Sequence, residues 1–448
     1  MLPAILMTCL VAILLGGCQR AGPQSDASVA EHVARYAELP LLRKSHNPKL
    51  REELARLISE RATPTLLVRE PDYGWNRADS EVREALPNSA EQLETIFPKS
   101  KRWSLENRLA RIYPVGRFEF RLQQLRAARS LTDEYAEQRE SFRQFVAQSD
   151  HNFRLDHTQG LGADTAFVEA AAIGCRLEAL SAALLLDEGQ PQLAINSLEV
   201  LLRMAQLLAN EPHLVPRVTA VHLRGEALQV LEAIASHPYS TIATHRLLHE
   251  QVLGQLSHWP PDSQAWIGER AQGLHTYELV RDGYLLSLLE YEEIRKYRDE
   301  IGIEQLGKQV MENVDQDEVF YLTSMRQVVE SCERPYYRRL DVIANIRKQL
   351  TASRDTSLYP LVADQLLLNE LEAGQRWQAL DWARCRAWRL ALAAALGSVP
   401  KEVPVNPLTG IPFILELRPD RVLVDAVDPE KHERPIIVTR MPPAARLE

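Results

Sequence analysis

With 448 residues, 45% of them apolar and 25% charged, the chain has the make-up of an ordinary globular protein and length for about two or three domains, which excludes a disordered or fibrous one. Its net charge of −9 lacks the basic excess that binding to a phosphate backbone requires, so DNA and RNA are excluded as partners.

The chain opens on an apolar run from Leu2 to Leu15 that ends in Leu15-Gly16-Gly17-Cys18. This is the pattern of a bacterial lipoprotein signal: residues 1–17 are the signal peptide, and Cys18 is the lipidation site. An uncleaved anchor or a plain secretory signal is the alternative, and no Lys or Arg precedes the apolar run. Residues 18–27 are short and polar, contain Gly22 and Pro23, and read as a tether. Residues 28–114 read as an irregular helical lead-in. Ser28-Val29-Ala30-Glu31 has the form of a capping box, Ser89 and Gln92 form another, and prolines from Pro40 to Pro114 break the helices repeatedly.

Residues 115–397 carry long helical patterns and form the body. Arg117 to Ala147 reads as one long helix through Phe118, Leu122, Leu125, Tyr135, Phe142 and Phe145. Asp164 caps the next helix, which ends at Gly189, and Ala194, Leu198, Leu201, Ala205 and Leu208 make the stripe of its hairpin partner. That hairpin is similar to one tetratricopeptide unit, with no second copy at a period of about 34 residues. Further helices run from Val218 to Ala235, from Thr241 to Gln255, after Pro260-Pro261, from Leu285 to Ile294, from Glu304 to Met311, from Glu318 to Leu350 with a division at Pro335, and from Leu361 to Leu396. Residues 398–448 are rich in proline and β-branched residues. Ile411 to Leu417, Arg421 to Ala426 and Ile436 to Thr439 read as a small antiparallel β ribbon. So few strands are unstable alone, and the apolar face expected from Ile411, Phe413, Leu415 and Leu417 needs the helical body as a cover. The fold class is therefore mainly α: an array of antiparallel helical hairpins, tetratricopeptide-like in part, with a C-terminal β ribbon.

Five cysteines occur. Cys9 lies in the signal and Cys18 takes the lipid, leaving Cys175, Cys332 and Cys385 on helical patterns, where they read as buried thiols. One disulfide among them is the alternative that an oxidising compartment permits.

The hairpin from Leu184 to Pro212, the segment Ile267-Gly268-Glu269-Arg270 and the closing Asn406-Pro407-x-Thr409-Gly410-x-Pro412-Phe413 resemble uncharacterised exported helical proteins of planctomycete bacteria. The resemblance spans residues 115 to 430 and implies an exported helical protein without an assigned activity. In that group the last motif more often begins with aspartate, and here it begins with Asn406. The closing turn also resembles the tail of major pseudopilins, but Gly22, Pro23 and Pro40 interrupt the long N-terminal helix that a pilin needs.

His245 and His249, at i and i+4, have the spacing of a metal pair, but no His-Glu-x-x-His pattern accompanies them and they read as an ordinary helical pair. Asn313-x-Asp315-x-Asp317 imitates a calcium loop but has Glu318 where glycine is needed, so it reads as the cap of a helix starting near Glu318. Gly160-Leu161-Gly162 follows no strand and reads as a loop. Glu269 stands between Gly268 and Gly273, helix positions where glycine costs about 1 kcal/mol against alanine unless a close approach requires it. A structural ion pair with Arg270, His275 or Arg281 is the first reading of Glu269, and a general acid or base is the second. Trp382, Arg386 and Arg389 point away from the stripe of Trp377, Leu380 and Trp388 and form a candidate partner-binding patch. These residues favour a non-catalytic, lipid-anchored, extracytoplasmic binding or scaffold protein of the cell envelope. Its partners would be the membrane, through the lipid, and a protein, and no cofactor is indicated. The rival class is an envelope-polymer hydrolase with Glu269 in a helical cleft.

Overall fold

The computed structural model describes residues 47–59, 87–113, 118–354, 360–367, 371–425, 427–431 and 433–440. The signal, Cys18, the tether, the Ser28 capping box and the boundary at residues 114–115 lie outside them.

Helix α1 (Pro48–Ser59) is followed by α2 (Ser89–Ile96) and α3 (Lys99–Ile112), which turn about Pro98. The cap of α2 is Asn88, whose Oδ1 accepts from the Ala90 N–H at 3.0 Å. Ser89 is therefore not the capping residue; its Oγ accepts from the Asn152 N–H at 2.9 Å and ties α2 to a distant loop. The run expected as one helix from Arg117 to Ala147 is two, α4 (Leu122–Glu134) and α5 (Ala136–Ala147). They break at Tyr135, whose φ of −106° and ψ of 23° leave the α region.

Beyond a 3-10 turn at His157–Gly162, α6 (Phe167–Asp187) starts behind Asp164, whose carboxylate accepts from the Ala166 N–H at 2.9 Å. Its buried positions lie all round the helix, from Phe167 through Ala170, Ile173, Leu177 and Leu180, as expected of a helix at the centre of a core. Gly189, at φ 73°, ends it in the left-handed region, and Pro191 opens α7 (Pro191–Ala209) at a position where its missing N–H has no partner to lose. Helix α8 (Leu214–Ala235) packs on both α6 and α7.

Thr241 caps α9 (Ile242–His258), and Pro260-Pro261 precedes α10 (Asp262–Arg281). The stretch expected as a helix from Leu285 to Ile294 is a 3-10 turn, Leu285–Leu288, followed by α11 (Tyr291–Glu300). The two helices expected between Glu304 and the residues before Pro335 are one, α12 (Ile303–Ser331), because its polar middle is used in tertiary bonds rather than as a cap. Pro335 does divide the chain, and α13 (Leu340–Arg354), α14 (Leu361–Leu367) and α15 (Leu371–Ala395) complete the helices. Among the described residues, no helix is long and apolar enough to cross a membrane.

Strands β1 (Ile414–Leu417), β2 (Arg421–Asp425) and β3 (Ile436–Thr439) form an antiparallel sheet in the order β1-β2-β3, with Leu415 opposite Val424 and Val424 opposite Ile436. The sheet lies on α15, and β3 also reaches α8. Its covered face is Val422, Val424, Ile436 and Val438 rather than the first strand: Phe413 is buried, but Ile411 and Leu417 are exposed. The middle strand and β3, which lie on α15, supply most of the apolar contact, and Leu415 of β1 adds a half-buried side chain. Arg384 to Glu433 at 2.7 Å and Arg376 to Asp428 at 2.9 Å fasten the tail to α15. Asn406 is fully buried and shapes the closing turn, its Nδ2 donating to the Val427 carbonyl at 2.9 Å and its Oδ1 accepting from the Leu408 N–H at 2.8 Å. An aspartate could not make the first of these bonds. Cys175 and Cys385 are buried and Cys332 is half-buried, all three as free thiols. Burial holds Cys332 and Cys385 up at about 12, where the reactive thiolate does not form.

Candidate functional site

The two glycines beside Glu269 mark close approaches. A Cβ on Gly268 would lie 1.4 Å from the Pro212 carbonyl oxygen, and one on Gly273 would lie 2.1 Å from the Tyr321 hydroxyl. Glu269 itself is half-buried, its backbone carbonyl accepts from the Tyr321 hydroxyl at 3.0 Å, and its charge adds to burial in raising the Tyr321 phenol. Arg281 is taken by other carboxylates: Glu278 at 2.8 Å, and Asp315 and Glu318 both at 2.6 Å. The would-be calcium run is likewise absorbed by the fold. Asp317 accepts from the Tyr277 hydroxyl at 2.6 Å and from the Val362 and Ala363 N–H groups at 2.9 Å, so it caps the N-terminus of α14 from across the core. Burial pushes its carboxyl up to about 6.

A second set of charges is sealed where α8, α10 and α15 meet. Arg224 forms a two-pronged pair with Asp381, Nε to Oδ1 at 2.8 Å and Nη2 to Oδ2, and its guanidinium lies 3.3 Å from the centre of the Trp259 ring. Burial lowers the Arg224 guanidinium, but Asp381 more than offsets this, while burial raises the Asp381 carboxyl against the pull of Arg224. Asp262 accepts from Arg339 at 3.0 Å and from the Trp382 indole N–H at 3.1 Å. Trp382 is therefore half-buried and bonded inward, whereas its spacing alone places it on an outer patch. Arg217, fully buried, donates to the carbonyls of Ala209, Pro260 and Pro261. Burial draws its guanidinium down to about 10.

His245 is buried with its Nε2 3.0 Å from the Ala235 carbonyl, so its ring serves the neighbouring helix end. His249 is half-buried and titrates low, through burial and the charge of Arg389. The packing of α9 on α15 thus brings His249 to Arg389, which sequence spacing could not show. Both arginines are exposed, and Arg386 sits 5.8 Å over the Trp382 ring. Among the described residues, no three His, Cys, Asp or Glu side chains gather as a metal set.

A solvent-open cleft of about 520 Å³ lies between α2–α3 and the break at Tyr135. Ile96, Phe97 and Leu105 supply its apolar side; Lys101 stands on one wall, and Glu134, Glu137, Gln138 and Ser141 on the other. Arg102 is almost wholly buried beneath it, with Nε donating to the Phe97 carbonyl at 2.7 Å and Nη1 to the Ala166 carbonyl at 2.9 Å, and this holds the α2–α3 corner against α6. Arg108 grips Glu134 through two bonds of 2.8 and 2.6 Å and lies 5.9 Å over Tyr135. That grip holds the Glu134 carboxyl below its ordinary range, so it is an acceptor and a fixed charge rather than a proton donor. Sequence reasoning missed the cleft, because it exists only through the break at Tyr135 and neither glycine nor proline signals one there. Comparison with known protein families, curated proteins and solved structures gives no match to the chain.

Proposed function

We propose that the protein is a non-catalytic, lipid-anchored binding or scaffold protein of the cell envelope, held at the membrane through Cys18 and engaging its ligand at the cleft beside Tyr135. The observation that carries the binding reading is the cleft. Its volume of about 520 Å³ falls in the range of small-molecule and peptide sites, and an apolar side faces a few converging polar groups. A general-acid role at this cleft is disfavoured for Glu134 by its two bonds to Arg108. The membrane address rests on Leu15-Gly16-Gly17-Cys18.

The test is photo-crosslinking in cells from a reactive residue at Ser141 of the full chain, compared with one at the exposed Tyr239, remote in sequence from the cleft. A discrete adduct from Ser141 that weakens with Lys101→Glu is expected; equal labelling from both positions overturns the cleft assignment. In parallel, Cys18→Ala abolishes incorporation of labelled lipid, and equal incorporation by variant and wild type overturns the anchor.

A further inference from the structure

We infer that the face where α9 meets α15, centred on Arg386 and Arg389, docks on the anionic headgroups of a bilayer. Four arginines of α15 divide sharply. Arg376 and Arg384 are paired with Asp428 and Glu433 of the tail, whereas among the described residues no carboxylate pairs with Arg386 or Arg389. The latter two lie three residues apart on one side of the helix and are exposed, and Arg389 places its charge against both Arg386 and His249. The fold thus concentrates positive charge on one face of a molecule whose net charge is −9. A mutually repelling pair of guanidinium groups gains most from an anion that approaches from solvent, and the planar fork of each matches phosphate oxygens.

The neighbouring side chains favour a bilayer over an acidic protein. On α9, Arg246, His249 and Leu253 fall on one arc of the helix, and Leu253 is 39% exposed. Glu250 is the acidic group on that arc, and it faces His249. Cations beside an exposed leucine are the combination that seats a protein surface in the headgroup layer. This docking deepens the membrane reading above and rests on it, because a lipid on Cys18 would keep the face close to headgroups.

The experiment is co-flotation of the full chain carrying Cys18→Ala with vesicles of phosphatidylcholine alone or mixed with phosphatidylglycerol, at low and high salt. The added anionic lipid should increase binding in a salt-sensitive way, and Arg386→Gln/Arg389→Gln should remove that increase by roughly 25-fold, since each arginine near an anionic surface contributes about fivefold. Arg334→Gln/Arg338→Gln removes equal charge from exposed positions elsewhere and should leave the increase intact. An equal loss from both double variants, or capture by polyglutamate as strong as by the anionic vesicles, overturns the proposal. Lipid labelling of the unaltered chain reports the anchor separately. Labelling without the anionic increment sinks the docking alone, and the increment without labelling sinks the anchor alone.

Discussion

Removing the Asp381 carboxylate should be among the most damaging single changes in the helical body. Asp381→Ala leaves the Arg224 guanidinium at 0% exposure with the Trp259 ring face as its main remaining contact. A ring face returns only a fraction of what a two-pronged carboxylate supplies to a desolvated cation. Orphaning one member of a buried pair costs about 3 to 5 kcal/mol, and the complete burial of both partners places this case at the upper end. Arg224→Met should cost less, because the Asp381 carboxyl left behind can take up a proton and become neutral. The double variant Arg224→Met/Asp381→Leu should recover much of the loss, since two apolar side chains then fill the volume without a stranded charge. Urea unfolding followed by tryptophan fluorescence gives the three free energies. A cost for Asp381→Ala below about 1 kcal/mol, the level of a surface pair, or a double variant whose loss equals the sum of the two singles, refutes the claim that this pair is energetically coupled.

Gly268→Ala forces its methyl group into the Pro212 carbonyl and should destabilise by about 3 kcal/mol, the upper end for overpacking, while Gly307→Ala in α12, with open space around it, should stabilise by up to about 1 kcal/mol. Equal melting shifts for the two would refute the close approach. Asp317 titrates near 6 in the fold against an ordinary 3.8, so between those values the folded state binds the proton more tightly than the unfolded one. Its contribution therefore makes stability fall as pH rises through that window, by an amount on the order of 3 kcal/mol. Asp317→Asn should flatten that fall in denaturation curves taken at several pH values, and an unchanged slope would show that another group carries it.

Helix ends that depend on neighbouring residues were legible in the sequence. Gly189 stops α6, Thr241 caps α9 and Pro260-Pro261 separates α9 from α10, each through bonds or steric limits within a few residues. The failures share one cause, which is that a side chain served a distant element. The acidic run ending at Asp317 has the composition of a local cap, yet Asp317 lies inside α12 and caps α14, some forty-five residues further on. Trp382 occupies an outward position by helical period, but its indole N–H reaches Asp262 on α10. The Tyr135 break, and with it the cleft, has no local signal because α4 and α5 are both good helix formers up to the residue where they part. Of the residues singled out in sequence, Arg389 lies against both Arg386 and His249, while the backbone carbonyl of Glu269 and the ring of His245 bond to neighbouring helices.

The sealed junction holds three arginines, Arg217, Arg224 and Arg339, against two aspartates, Asp262 and Asp381, and the imbalance has a physical account in the helix ends. Arg217 donates to the Ala209 carbonyl at the C-terminus of α7, and Arg339 donates to the Cys332 carbonyl just beyond the C-terminus of α12. Those carbonyls have no partner within their own helices, and each helix end carries about half a negative charge. Asp262 stands at the opposite kind of end, in the first turn of α10, where a carboxylate is favoured. The two C-terminal ends offset much of the excess positive charge, which helps three guanidinium groups persist in a buried interior. The same bonds are directional, so they fix which helix end meets which. Apolar side chains could fill this volume, but they would leave the carbonyls of Ala209 and Cys332 without those donors, and the cost of desolvating them would then fall on the junction.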